Sequence, residues 1–152
     1  MKIVSTSKVQ NREDRQKIKE AKLIDEYLTK NNIKAETDSS GIRFVMHSNL
    51  GGRKPSVTDC VEVKYHGTFL KTGQTFDKNE KIAFPLNGVI RGWTLSVPKL
   101  GIGDSATFYI PSHLAYGPQG QRGGIPPDAI LVFDITLLNA SASYDQLNRI
   151  CN

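Results

Sequence analysis

A chain of 152 residues with 38% hydrophobic content can bury one core, so the expectation is one domain with an extension. The formal charge of +5 is a thin excess that lies mostly before residue 61 and forms no dense basic stripe, which argues against a nucleic-acid surface. No apolar stretch approaches the roughly 18 residues of a membrane span, which argues against a membrane partner.

The start, Met1-Lys2-Ile3-Val4-Ser5-Thr6, lacks the apolar run of a signal peptide. The expected compartment is therefore cytoplasmic, or periplasmic if the chain is a trimmed mature form. Residues 11–31 are predicted helical, with Asn11 as the cap and Asp14 three positions on. Ile18, Ala21, Ile24 and Leu28 share one face, which Leu23 and Tyr27 widen. The opposite face is charged, with pairs such as Lys22 and Glu26. Such a stripe fits packing onto the domain; the alternative is a dimer through this helix or a partner helix.

After the polar run Glu36 to Gly41 the period changes to two. Ile42, Phe44 and Met46 alternate with Arg43, Val45 and His47, a strand. A Gly-rich loop follows over 49–55, then a second strand in which Val61, Val63 and Tyr65 alternate with Glu62, Lys64 and His66. Lys71-Thr72-Gly73-Gln74 reads as a turn before Thr75-Phe76. Ile82, Phe84 and Leu86 give another strand, which Pro85 assigns to an edge or a bulge. Val89 to Val97 reads as a short helix stopped by Pro98, and 106–110 as a strand ended by Pro111. The long loop from Ser112 to Asp128 is of the kind that usually carries function. Ile130 to Leu138 is the last predicted strand, and Tyr144–Ile150 a short helix in a polar tail. These elements predict an α+β fold, a sheet with a helix on one face.

Several catalytic signatures are absent or out of context. Gly101-Ile102-Gly103-Asp104-Ser105-Ala106 opens a strand rather than a helix, so it is a turn and not a dinucleotide fingerprint. His47, His66 and His113 have no ligand spacing, which predicts no metal, and Ser112-His113 sits in no nucleophile elbow. Cys60 and Cys151 fit no metal motif and are expected to be separate free thiols, the alternative being a disulfide between them. What remains is aromatic and aliphatic. The only tryptophan lies in Gly88-Val89-Ile90-Arg91-Gly92-Trp93, Asp77 directly follows Phe76, and Tyr116 sits within a Gly/Pro loop. Together with Tyr65 and Phe133 they suggest one concave apolar site with few polar groups.

From Val61 to Leu138 the chain resembles the FKBP-type peptidyl-prolyl cis-trans isomerases. The matching pieces are Val63-Lys64-Tyr65-His66-Gly67, Gly73-Gln74-Thr75-Phe76-Asp77 and Val89-Ile90-Arg91-Gly92-Trp93. They continue with Ala115-Tyr116-Gly117, Gly124-Ile125-Pro126-Pro127 and Leu131-Val132-Phe133-Asp134, in the family's order. The resemblance implies a half-open antiparallel β-sheet wrapped around a short α-helix, plus the N-terminal helix, of a kind common among bacterial members. It implies a helical extension over 1–40, the isomerase-like domain over 41–139 and a tail over 140–152.

The resemblance also implies a site without cofactor or metal. Trp93 would be the floor, and Tyr65, Phe76 and Phe133 the walls. Val89 and Ile90 would line the rim, with the Ile90 N–H bonding a substrate carbonyl. Tyr116 would donate its hydroxyl to another carbonyl, Asp77 would accept at the edge, and Ile125 would close the site from the loop. Gly92 would let the backbone turn into the short helix. Ile82 stands where many members carry an aromatic, and Gln121 and Gly124 depart in the loop, which touches sequence preference. The implied activity is Xaa-Pro isomerisation in unfolded or flexible segments, assisting folding. The alternative is a proline-peptide-binding module or chaperone with weak turnover. Implied partners are proline-containing peptides, unfolded proteins and macrolide inhibitors.

Overall fold

The computed structural model describes residues 11–152. The first element, α1 (Arg12–Lys30), is capped as its sequence predicts, with Asn11 Oδ1 accepting the Asp14 N–H at 2.9 Å. It ends at Asn31, and Asn32 takes a positive φ of 55°.

A six-stranded, wholly antiparallel sheet follows. Its strands are β1 (Glu36–Thr37), β2 (Arg43–Met46), β3 (Cys60–Phe69), β4 (Thr75–Pro85), β5 (Ser105–Ile110) and β6 (Leu131–Ser141). Their spatial order is β1-β2-β5-β6-β3-β4, so β4 is an edge and Pro85 costs no ladder hydrogen bond to an outer neighbour. The sheet reaches beyond residues 41–139 on both sides, since Glu36 and Thr37 pair with Phe44 and Arg43, and Ala140 and Ser141 pair with Val61 and Cys60.

A helix packs on each face of the sheet. The inner face carries Val61, Val63, Tyr65, Phe108, Ile110, Phe133, Ile135 and Leu137, and packs on the short helix α2 (Arg91–Ser96). This half-open antiparallel sheet wrapped over a short helix is the architecture the sequence led us to expect. The helix is shorter than its apolar pattern suggests, because Val89 and Ile90 are extended and Pro98 sits in the tight turn Val97–Lys99. On the outer face Tyr109, Val132 and Val45 meet Ile24, Leu28 and Tyr27 of α1. Burying Ile24 and Leu28 there contributes about 1.5–3 kcal/mol each. Most of the helix stripe is thus spent on the sheet, while Ile18 and Leu23 stay exposed. Asp25 and Arg43 form a bidentate pair at 2.9 and 3.0 Å between α1 and β2.

The tail departs from expectation twice. Residues 144–150 form no helix; β7 (Tyr144–Asp145) and β8 (Ile150–Cys151) make a small hairpin. Asp145 Oδ1 accepts the Leu147 and Asn148 N–H groups, and Arg149 takes a φ of 57°, so a side-chain-closed turn outcompetes the helix. Moreover, Cys60 and Cys151 are not free thiols but a disulfide, with Cα atoms 5.5 Å apart. The hairpin lays Cys151 beside the first residue of β3, a proximity that sequence distance conceals.

Gly101-Ile102-Gly103 forms a turn ahead of β5. The Asp104 carboxylate closes it by accepting the Gly101 and Leu50 N–H groups and the Ser48 hydroxyl. Those bonds, led by the one from Leu50, hold its pKa below the usual carboxylate range.

Candidate active site

A cavity of about 630 Å³ opens between the inner face of the sheet and the N-terminus of α2. Its floor is Trp93, nearly fully buried and ringed edge-on by Tyr65, Phe84 and Phe133 at centroid distances of 5.1, 5.5 and 5.4 Å. The indole Nε1–H is buried with no hydrogen-bond partner among the described residues, and aromatic rings surround it. Phe76 crosses Phe133 at 5.5 Å and stacks on Phe69 at 5.0 Å.

One glycine makes this wall possible. Gly67 of β3 lies opposite Asp77 on one side and Phe133 on the other. A Cβ there would come within 2.7 Å of the Phe76 ring and 2.9 Å of the Phe133 ring. Its missing side chain is the room those rings occupy. Gly92 serves a similar end rather than the backbone freedom expected of it. It lies inside α2, and a Cβ would meet Ile110 Cγ2 at 2.6 Å and the Leu114 carbonyl at 3.1 Å. It lets the helix press against β5 and the loop after it.

β4 supplies the other wall through two irregularities in its pairing with β3, between Val63 and Tyr65 and between Gly67 and Thr68. Ile82 and Phe84 pair with Val63 and Val61, whereas Asp77 and Asn79 pair with Gly67 and Tyr65. Even- and odd-numbered residues of one strand therefore face the same cavity. Val89, Ile90 and Gly88 form the rim ahead of α2, and Tyr116 enters from the long loop.

The polar groups are few. The Tyr65 hydroxyl donates to Asp77 Oδ2 at 2.5 Å. Asp77 is exposed at the rim rather than buried. Tyr116 Oη makes no hydrogen bond to another described residue. No backbone carbonyl among the described residues takes the Ile90 N–H, which precedes the first helical residue. Burial pushes the Tyr65 phenol above its ordinary pKa, aided by its bond to Asp77, and pushes Tyr116 up too, with the Asp77 charge adding. Raised phenol pKa values keep both hydroxyls protonated through the ordinary tyrosine value of about 10, and the donors are lost only above it. Any activity of this site is expected to vary less than about twofold between pH 6 and 9. An alkaline limb with a midpoint below pH 9 in the rate profile would contradict that assignment.

Nine of the residues expected at the site line one cavity: Tyr65, Phe76, Asp77, Ile82, Val89, Ile90, Trp93, Tyr116 and Phe133. Gln121 and Ile125 do not line it; they pair with each other, N–H to carbonyl, at 2.8 and 3.0 Å and so close the tip of the long loop. Asn79, Phe84 and Gly88 line the cavity and were not singled out from the sequence. Phe84 was visible as a strand aromatic beside Ile82. Asn79 lies in a charged run that hides its strand.

Comparison with known proteins bears on the same region. Residues 51–138 match the sequence profile of the FKBP-type peptidyl-prolyl cis-trans isomerases. The chain is 39% identical over 130 residues to the FKBP-type peptidyl-prolyl cis-trans isomerase FkpA of Aeromonas hydrophila, covering 82% of this chain and 48% of that one. It is 38% identical to FK506-binding protein 1 of Candida glabrata, over 70% of this chain and 99% of that one. The crystal structure of FkpA from Escherichia coli superposes with a TM-score of 0.73 at 35% identity, over 82% of this chain and 60% of that one. This chain spans about half the length of the Aeromonas relative. Fold, cavity and sequence agree, and the chain belongs to the FKBP-type peptidyl-prolyl cis-trans isomerase family.

Proposed function

We propose that this chain accelerates cis-trans rotation about Xaa-Pro bonds in unfolded or flexible polypeptide segments. The observation that carries the reading is a cavity walled by aromatic and aliphatic side chains with unengaged donors at its edge. Amide rotation faces a barrier of about 18–20 kcal/mol, because resonance is lost in the twisted state. The twisted amide is less charge-separated than the planar one, so a site that excludes water favours it relative to solvent. No proton needs to move.

In this reading a proline ring sits on Trp93 between Tyr65, Phe76 and Phe133. The Ile90 N–H and the Tyr116 hydroxyl hold flanking carbonyls, and Val89 and Ile82 bear on the residue before proline. Asp77 orients Tyr65 and offers a carboxylate at the rim. Interactions made better with the twisted than with the planar bond supply the rate. Gln121 and Ile125 contribute through the shape of the loop tip.

The FK506-binding relatives support macrolides as competing occupants of the same cavity. The Cys60–Cys151 disulfide supports residence in an oxidising compartment, the periplasm rather than the cytoplasm. Self-association through α1 would rest on Ile18 and Leu23, its exposed apolar side chains.

The deciding measurement is cis-trans exchange of an Xaa-Pro peptide followed by NMR. Uncatalysed exchange takes tens of seconds, and the chain at micromolar concentration is expected to shorten it at least about tenfold. Trp93→Leu is expected to remove most of that acceleration, and a macrolide to abolish it. A folded wild-type chain that leaves the exchange rate unchanged overturns the reading.

A further inference from the structure

We infer that Glu20 of α1, outside the region matched to the family, is a positioning residue for the Tyr116 loop. The inference rests on the isomerase reading above. Glu20 is 1% exposed, and no lysine, arginine or histidine among the described residues pairs with it. Both carboxylate oxygens point at one residue 92 positions away. Oε1 accepts the Ser112 N–H at 2.6 Å, and Oε2 accepts the Ser112 hydroxyl at 2.6 Å. Gln16 Nε2 donates to Oε2 at 2.7 Å.

A buried carboxylate without a counter-charge is an expensive way to attach a helix, since apolar contact would serve. What it adds is direction. Two charge-assisted bonds fix two donor vectors of Ser112 at once. Ser112 begins the tight turn Ser112–Leu114, closed by Ala115 N–H to Ser112 carbonyl at 2.9 Å, and Tyr116 follows. Leu114 is buried in the main core, and its carbonyl rests on Gly92 of α2. The turn is therefore clamped between α1 on one side and the start of α2 on the other. Ile90 immediately precedes α2. One carboxylate thus sets the position of the Tyr116 hydroxyl relative to the Ile90 N–H, the two donors assigned to the substrate.

The test is a double-mutant cycle on the full chain, with kcat and KM for Xaa-Pro exchange. Glu20→Gln, and Asp25→Ala as a control that breaks the exposed pair on the same helix, are each combined with Tyr116→Phe. Glu20→Gln is expected to lower kcat about tenfold with KM within twofold, the signature of a displaced group. Tyr116→Phe is expected to cost about tenfold beside Asp25→Ala and less than twofold beside Glu20→Gln, because a misplaced hydroxyl has little left to lose. Equal losses in both backgrounds overturn the inference. Should Glu20→Gln not fold, Ser112→Ala takes its place under the same criterion, with Ser112→Thr expected to restore the rate. The Tyr116 ring resonances of the free protein give a second readout. They shift in Glu20→Gln and not in Asp25→Ala if the positioning is real, and unchanged resonances overturn it. A wild-type chain without activity overturns the isomerase reading alone, since the ring resonances still decide the positioning.

Discussion

Phe133→Ala is expected to cost about 3–5 kcal/mol of folding free energy, the range for emptying a buried phenylalanine site. Phe133 is 4% exposed and touches three rings, those of Tyr65, Phe76 and Trp93. It pairs with Gly67 on β3 and Phe108 on β5, so its ring lies at the junction of the sheet's core and the cavity. For a chain of this length the loss corresponds to a fall in Tm of about 10 °C. Activity should fall further than stability explains. Losing the wall against which the proline ring packs is expected to lower kcat/KM about 100-fold, or nearly 3 kcal/mol of transition-state stabilisation. Phe133→Leu separates the two effects, because it restores volume but not the flat face. It is expected to regain most of the Tm and less of the rate. Thermal unfolding and peptide exchange on the same samples decide the matter, and a Phe133→Ala chain with wild-type kcat/KM would remove the residue from the site.

The second large effect concerns the disulfide. Cys151→Ser is expected to destabilise the chain by about 2–4 kcal/mol, the usual contribution of a cross-link that restricts the unfolded chain. With a sequence separation of 91 between the two cysteines, the closed loop contains four of the six strands, β3 to β6. The small hairpin of β7 and β8 packs beside β3 and β4 but forms its own two-stranded sheet outside the main ladder, so the tail should fray first, and amide exchange at 144–152 should rise before that of the sheet. Unfolding by urea with and without reductant gives the size. A shift of the midpoint under reduction that is absent in Cys151→Ser identifies the bond as the cause. An unchanged midpoint in wild type would show that the cross-link does not hold the fold.

Most of the site was legible because its residues carry motif-like neighbours. Tyr65 stands on a strand with clean alternation, Phe76-Asp77 follows a turn, and Trp93 sits between glycines. What the sequence concealed has physical reasons. Asn79 and the strand around it were hidden because β4 breaks its alternation twice, and Lys78, Glu80 and Lys81 there are exposed, as an edge strand allows. The disulfide was hidden because closeness of Cys60 and Cys151 depends on how the tail folds back. Gln121 and Ile125 were placed by family likeness, yet their mutual pairing is a property of a loop whose shape no period encodes. The importance of Glu20 was also out of reach, since a glutamate on a charged helix gives no sign that it will be buried against a distant serine.

The offset pairing of β4 carries a consequence for how this cavity can vary. In a regular strand, changing one residue's identity changes one contact. Here the wall depends on phase, because Asp77 and Asn79 face the cavity in one phase of the strand while Ile82 and Phe84 face it in the other. The number of residues between Asn79 and Ile82 thus acts as a structural variable in its own right. A regular ladder over the same number of residues, without the bulge, would turn Ile82 and Phe84 outward and leave the Asp77–Tyr65 corner in place. Pocket shape in this protein is therefore written in chain length at an exposed edge as well as in side chains at the core.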